Sequence, residues 1–169
     1  DMEGHRDQGF CVAYAPNGEY IVSVGKDGLI LLWDGTGKFI KQIDRSQYAV
    51  ATVSFSADST KIVASGFTGK ETQVYAIPSG EKLTSFTKHN NTVQASAFYG
   101  NDLIATAGGS DNDIYIWDAT SGTVKMHITG RGKQPLALGF GGGFHLAFGN
   151  SDMSPPGSEE EVPQHVPEY

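Results

Sequence analysis

The chain has 169 residues, 38% of them hydrophobic and 18% charged, and no apolar run approaches the ~20 residues a membrane-spanning helix needs. With 22 glycines, and with β-branched and aromatic residues gathered in short runs, it favours many strands joined by tight turns and argues against an all-helical fold. Of the formal net charge of −7, five charges lie on Asp152, Glu159, Glu160, Glu161 and Glu168, leaving −2 on residues 1–150. A body so near neutrality lacks the basic stripe of a nucleic-acid binder and the polybasic patch of a membrane-surface protein, so neither partner is expected. Cys11, the single cysteine, excludes an internal disulfide and suits a reducing compartment; an intracellular, cytoplasmic location is expected. The chain opens on Asp1, and DMEGHRDQ lacks the apolar stretch of a signal peptide, so excision from something longer is expected.

Taken in chain order, the elements repeat. The first unit reads as four strands, about Cys11–Tyr14, Tyr20–Val24, Leu29–Trp33 and Phe39–Asp44, each alternating with period two and separated by hairpin signals such as Asn17-Gly18 and Gly35-Thr36-Gly37. The next two units follow the same scheme, and the fourth supplies two strands, about Leu136–Phe140 and Phe144–Phe148. Three columns fix the period. Trp33, Tyr75 and Trp117 are 42 residues apart each time; Tyr14, Phe55, Phe98 and Phe140 recur at 41, 43 and 42; His5, Ser46, His89 and Arg131 stand nine residues before these. The units span about residues 4–44, 45–87, 88–129 and a partial 130–150, making one region over 1–150. Residues 151–169 hold four of the seven prolines and no apolar periodicity, and read as an acidic linker or tail.

Gly4-His5 with Trp33-Asp34, and His89 with Trp117-Asp118, at this period resemble the Gly-His and Trp-Asp signatures of WD40-repeat β-propellers. The resemblance implies an all-β fold, a WD40-type propeller of which this chain holds about three and a half four-stranded blades. It also implies a chain of hydrogen bonds within a blade, with His5, Ser23, Asp27 and Trp33 in the first repeat and His89, Thr106, Asp111 and Trp117 in the third. In both, His precedes Asp by 22 residues and Asp precedes Trp by six. A catalytic group is needed once per active site, and a constellation recurring at the repeat period reads as an internal brace. Replacing His89 or Asp111 with Ala is then expected to cost on the order of 1–3 kcal/mol. The second repeat departs, with Ser46 for His, Ala64 in the Ser/Thr column, Gly69 where Asp is expected and Tyr75-Ala76 for Trp-Asp; it is expected to rely on packing of Val53, Phe55, Ile62, Val63, Val74 and Tyr75.

No metal or cofactor site emerges: the remaining histidines His127, His145 and His165 are scattered, and one cysteine makes no thiolate cluster. Cys11 reads as a small buried filler, and the glycine-rich stretches at 35–38 and 139–144 read as hairpins, lacking a following helix to aim N–H groups at a phosphate. Architecture alone does not give function. The expectation is a non-catalytic scaffold binding a protein or peptide partner on its loop face, through Asp7, Lys26, Tyr48, Thr68, Asn91 and Ser110, with Tyr48 the aromatic anchor. The alternative is a regulatory or sensor module of a larger effector enzyme whose catalytic domain lies outside these residues. Both end units are expected to expose apolar faces, to be completed by further blades from the chain's own sequence, another chain or self-association.

Overall fold

The computed structural model describes residues 4–66, 70–130, 135–141 and 144–150, and the acidic segment 151–169 lies outside the described residues. The first repeat forms β1 (Gly9–Tyr14), β2 (Tyr20–Gly25), β3 (Leu29–Asp34) and β4 (Phe39–Arg45). The second forms β5 (Val50–Phe55), β6 (Lys61–Gly66), β7 (Thr72–Ala76) and β8 (Lys82–Phe86). The third forms β9 (Val93–Tyr99), β10 (Leu103–Gly108), β11 (Asp113–Asp118) and β12 (Val124–Ile128), and the described residues close on β13 (Pro135–Gly141) and β14 (His145–Asn150). Each repeat is an antiparallel sheet with its strands in chain order, and β13 and β14 form a two-stranded sheet. The first strands lie side by side, β1 against β5, β5 against β9 and β9 against β13, as in radial blades.

Local chemistry repeats with the period. The register slips at Phe10, Ala51 and Gln94, the same column of β1, β5 and β9, so each first strand carries a bulge that twists it as it enters its sheet. The Asp of each Trp-Asp pair organises the following turn. Asp34 Oδ1 accepts the N–H groups of Thr36 and Lys38 at 2.9 and 3.0 Å, and Asp118 Oδ1 those of Thr120 and Ser121 at 3.0 and 2.8 Å. In the second repeat Ala76 has no side chain for this, and the turn passes through a cis Ile77-Pro78 bond.

The core lies between sheets. Val22, Val24, Ile30 and Leu32 of the first pack against Val50, Val53, Phe55, Ile62 and Tyr75 of the second. Val63, Val74 and Phe86 of the second pack against Ile104 and Trp117 of the third, with the Phe86 and Trp117 rings stacked 4.6 Å apart. Each such side chain contributes roughly 1.5–3 kcal/mol by leaving water. The six residues expected to hold the second repeat together are all buried. Cys11 is half-buried against this core, near the Val53 carbonyl. At the two ends the faces are bare: Val12 is 62% and Tyr14 55% exposed on β1, and Leu136 53% on β13.

Candidate functional site

His5 lies in the loop entering β1, Ser23 in the middle of β2, Asp27 in the turn after it and Trp33 near the end of β3. Trp33 Nε1 donates to Ser23 Oγ at 2.9 Å, and His5 Nε2 stands 2.9 Å from the same oxygen. The Asp27 carboxylate only accepts, so His5 Nδ1–H donates to it at 3.0 Å, and the Ser23 hydroxyl, which takes the indole N–H on its oxygen, donates its own O–H to Nε2. Asp27 also accepts the Arg6 and Leu29 N–H groups at 2.7 and 3.1 Å. Burial pushes its carboxyl up, but the hydrogen bonds from Arg6, His5 and Leu29 outweigh this and hold it below the ordinary value. Ser23 is buried and its oxygen is engaged by the indole, so this Ser, His and Asp offer no exposed nucleophile.

The third repeat begins the same chain and does not finish it. Trp117 Nε1 donates to Thr106 Oγ1 at 3.2 Å, and His89 Nε2 lies 2.9 Å from that oxygen. Asp111, expected as the next link, is instead exposed and takes Asn90 Nδ2 at 2.8 Å, and the buried His89 Nδ1 has no partner among the described residues. The turn explains this correction. Three residues separate β2 from β3 but four separate β10 from β11, so Asp111 is carried outward. The signal was present as the hydroxyl-to-tryptophan spacing, 10 residues from Ser23 and 11 from Thr106. Burial of the ring lowers the His89 pKa to about 4.

A polar cluster that sequence reasoning missed lies alongside. His127, read as scattered, pairs with Asp113 at 2.7 Å and stacks on Tyr115 with centroids 4.3 Å apart, while Tyr115 meets His89 edge-on at 5.0 Å. Cross-strand register makes the cluster: His127 of β12 faces Tyr115 of β11. Burial pushes the Asp113 carboxyl up, but hydrogen bonds from the Gly130 N–H and His127 hold it below its usual range.

In the second repeat Tyr75 takes the tryptophan column. Its hydroxyl donates to Asp44 Oδ2 at 2.5 Å and contacts Gln73, and burial with the Asp44 carboxylate pushes its pKa up. Ser46 is half-buried, and its Oγ accepts the Tyr48 N–H at 3.1 Å. Of the loop residues singled out, Asp7 and Lys26 pair at 3.5 Å and Asn91 Nδ2 donates to Ser110 Oγ at 3.3 Å, all four exposed. Tyr48 is 50% exposed in the matching column. Thr68 and Gly69 lie outside the described residues. Among the described residues no group of three or more His, Cys, Asp or Glu is placed to hold a metal ion, and no helix is long and apolar enough to cross a membrane.

Successive four-stranded antiparallel sheets joined through their first strands define a β-propeller segment. The model of the WD domain, G-beta repeat, matches residues 1–34 and 80–118. The crystal structure of the RRP9 WD40 repeats superposes with a TM-score of 0.74 at 21% identity, over 81% of this chain and 43% of that one. The structure of U3-55K gives the same TM-score and identity. Among curated proteins, the U3 small nucleolar RNA-associated protein 15 homolog of Gallus gallus is 28% identical over 127 residues, 73% of this chain and 24% of its own length. Nuclear distribution protein nudF of Aspergillus flavus is 26% identical over 129 residues, 72% of this chain and 27% of its own. The fold is that of a WD40-type β-propeller segment, the repeat model matches two stretches of the chain, and the chain spans about a quarter of the length of these curated relatives.

Proposed function

We propose that the chain is a non-catalytic interaction module whose loop face binds a protein or peptide. The observation that carries this reading is Tyr48, a half-exposed aromatic whose column in the flanking repeats holds the exposed polar pairs Asp7–Lys26 and Asn91–Ser110. An aromatic anchor on a rigid sheet, with a polar rim, is the usual make-up of a small binding patch. The near-neutral body favours a protein surface over phosphate, although one relative is named for its association with a small nucleolar RNA. An intracellular setting fits the single, half-buried cysteine. Further blades, from the chain's own polypeptide before any other source, cover the bare faces at β1 and β13, which stay wet otherwise.

The test is affinity capture with the intact protein, comparing wild type with Tyr48→Ala. Recovery of a bound protein falls at least tenfold in the variant; equal recovery overturns the assignment of this face.

A further inference from the structure

The three repeats keep one backbone frame around the histidine column and change what it contains. At the end of the second strand of each sheet a glycine lies under the carbonyl three residues past that column. A Cβ on Gly25 would stand 2.6 Å from Gln8 O, one on Gly66 2.2 Å from Ala49 O, and one on Gly108 2.3 Å from Thr92 O. None of these glycines admits a side chain, so the entering loop approaches equally closely in all three. In the first and third repeats the space so framed holds an imidazole, 2.9 Å from Ser23 or Thr106. In the second, both members of that contact are cut back together, His to Ser46 and the hydroxyl residue to Ala64.

What remains is a cleft of about 230 Å³, against about 20 Å³ at the matching place beside His89. Ser46, Tyr48, Ala64, Gly66, Glu71 and Gln73 line it. Drug-sized ligands occupy roughly 300–1,000 Å³, so this cleft takes one side chain. Ala64 offers an apolar wall for a ring face, Ser46, Glu71 and Gln73 offer hydrogen-bonding groups for a ring edge, and Tyr48 at the rim offers an aromatic surface. Lys82 already pairs with Glu71 at 3.0 Å, so a fixed cation gains little there and a neutral ring carrying both an N–H donor and an acceptor suits the lining.

We infer that the second-repeat cleft is a binding site for one imidazole ring, the side chain of a histidine presented by the partner. This rests on the interaction-module reading above and names the chemistry of its anchor point. The degenerate repeat is then where the partner supplies the ring that its sister repeats carry themselves.

The probe is 4-methylimidazole, titrated into the isotopically labelled full chain at about pH 8, where an imidazole is largely neutral. The Ala64 methyl and Gln73 side-chain amide resonances shift saturably, with a dissociation constant of roughly 1–10 mM, as befits so small a ligand. Thiazole, a ring of similar size without an N–H donor, binds at least tenfold more weakly. Ala64→Leu, which fills the cleft, abolishes the response, and Ser46→His does so by a second route, leaving the test intact if one variant does not fold. Absence of a saturable shift, an equal response to thiazole, or an undiminished response in a folded filled variant overturns the site. The probe needs no partner, so its failure leaves the Tyr48 capture result standing, whereas capture insensitive to Tyr48→Ala overturns the interaction reading itself.

Discussion

The first and third repeats carry the same sequence of His, hydroxyl, Asp and Trp at the same His-to-Asp and Asp-to-Trp spacings, yet one closes its hydrogen-bond chain and the other stops a link short. In the first, both ring nitrogens of His5 are engaged. In the third, Nε2 of His89 is engaged, Nδ1 is not, and Asp111 faces outward beside Asn90. The difference comes from one added residue in a turn, which alters the reach of a carboxylate while leaving the His-to-Asp and Asp-to-Trp spacings unchanged and lengthening the hydroxyl-to-tryptophan spacing. A network is therefore set by the geometry of the loop that delivers its last member as much as by the residues that compose it.

The largest effect expected is at the member the two repeats share. Trp33 is 2% exposed and Trp117 0%, each donates to its hydroxyl partner, and Trp117 also stacks on Phe86 of the neighbouring sheet. Trp117→Ala destabilises by about 3–5 kcal/mol, the range for truncating a buried aromatic, read from urea unfolding of the folded protein. Trp33→Ala falls in the same range. A loss under about 1 kcal/mol for either breaks the view that the tryptophan holds its blade.

The next sharpens the comparison through pH. His89 titrates at about 4 when folded, because burial disfavours the charged ring, against about 6.5 in the unfolded chain. Its folded value is depressed, so the unfolded chain binds the extra proton between these values. The contribution is fully present above about pH 6.5 and is lost as the pH falls toward 4, a change on the order of 3 kcal/mol. Asp113 opposes the depression and His127 assists it, so both belong in the reading of the curve. Unfolding measured between pH 4 and pH 7 shows this slope in wild type and a shallower one in His89→Gln; parallel curves would show that His89 does not titrate differently in the two states.

The third test separates the two carboxylates. Asp27 holds His5 and two backbone N–H groups, all near or within the fold, and Asp27→Ala leaves these donors without an acceptor. The expected loss is about 1–3 kcal/mol, read as a lower urea midpoint.

How much of this the sequence made legible follows from which interactions have a period. The four strands of a repeat, the buried tryptophans and the polar columns recur every 41–43 residues, so hairpin turns and alternation place them before any coordinates are seen. The Asp113, Tyr115 and His127 cluster has no counterpart in the first repeat, where Leu29 and Leu31 occupy the first two columns, and it was invisible to a search for recurrence. The second-repeat cleft was legible only as a list of departures, because truncated side chains show what is missing from a sequence and not what space the backbone keeps open. Thr68, placed by column on the loop face, lies outside the described residues.

The smallest effect breaks the comparison most cleanly. By sequence, Asp111 is the counterpart of Asp27, and its removal was expected to cost as much as that of a buried brace. In the structure Asp111 is exposed, its carboxylate takes the Asn90 side chain, and His89 Nδ1 gains nothing from it, so Asp111→Ala leaves only groups that water can satisfy. The change in stability is therefore within about 0.5 kcal/mol, as for surface substitutions away from caps and networks. Shortening the turn by deleting Ser110 gives the third repeat the same three-residue connection as the first. In that background Asp111→Ala becomes several times more costly, because the carboxylate then reaches His89. If Asp111→Ala is as damaging as Asp27→Ala in the natural turn, the two repeats close the same network and the extra residue does not separate them.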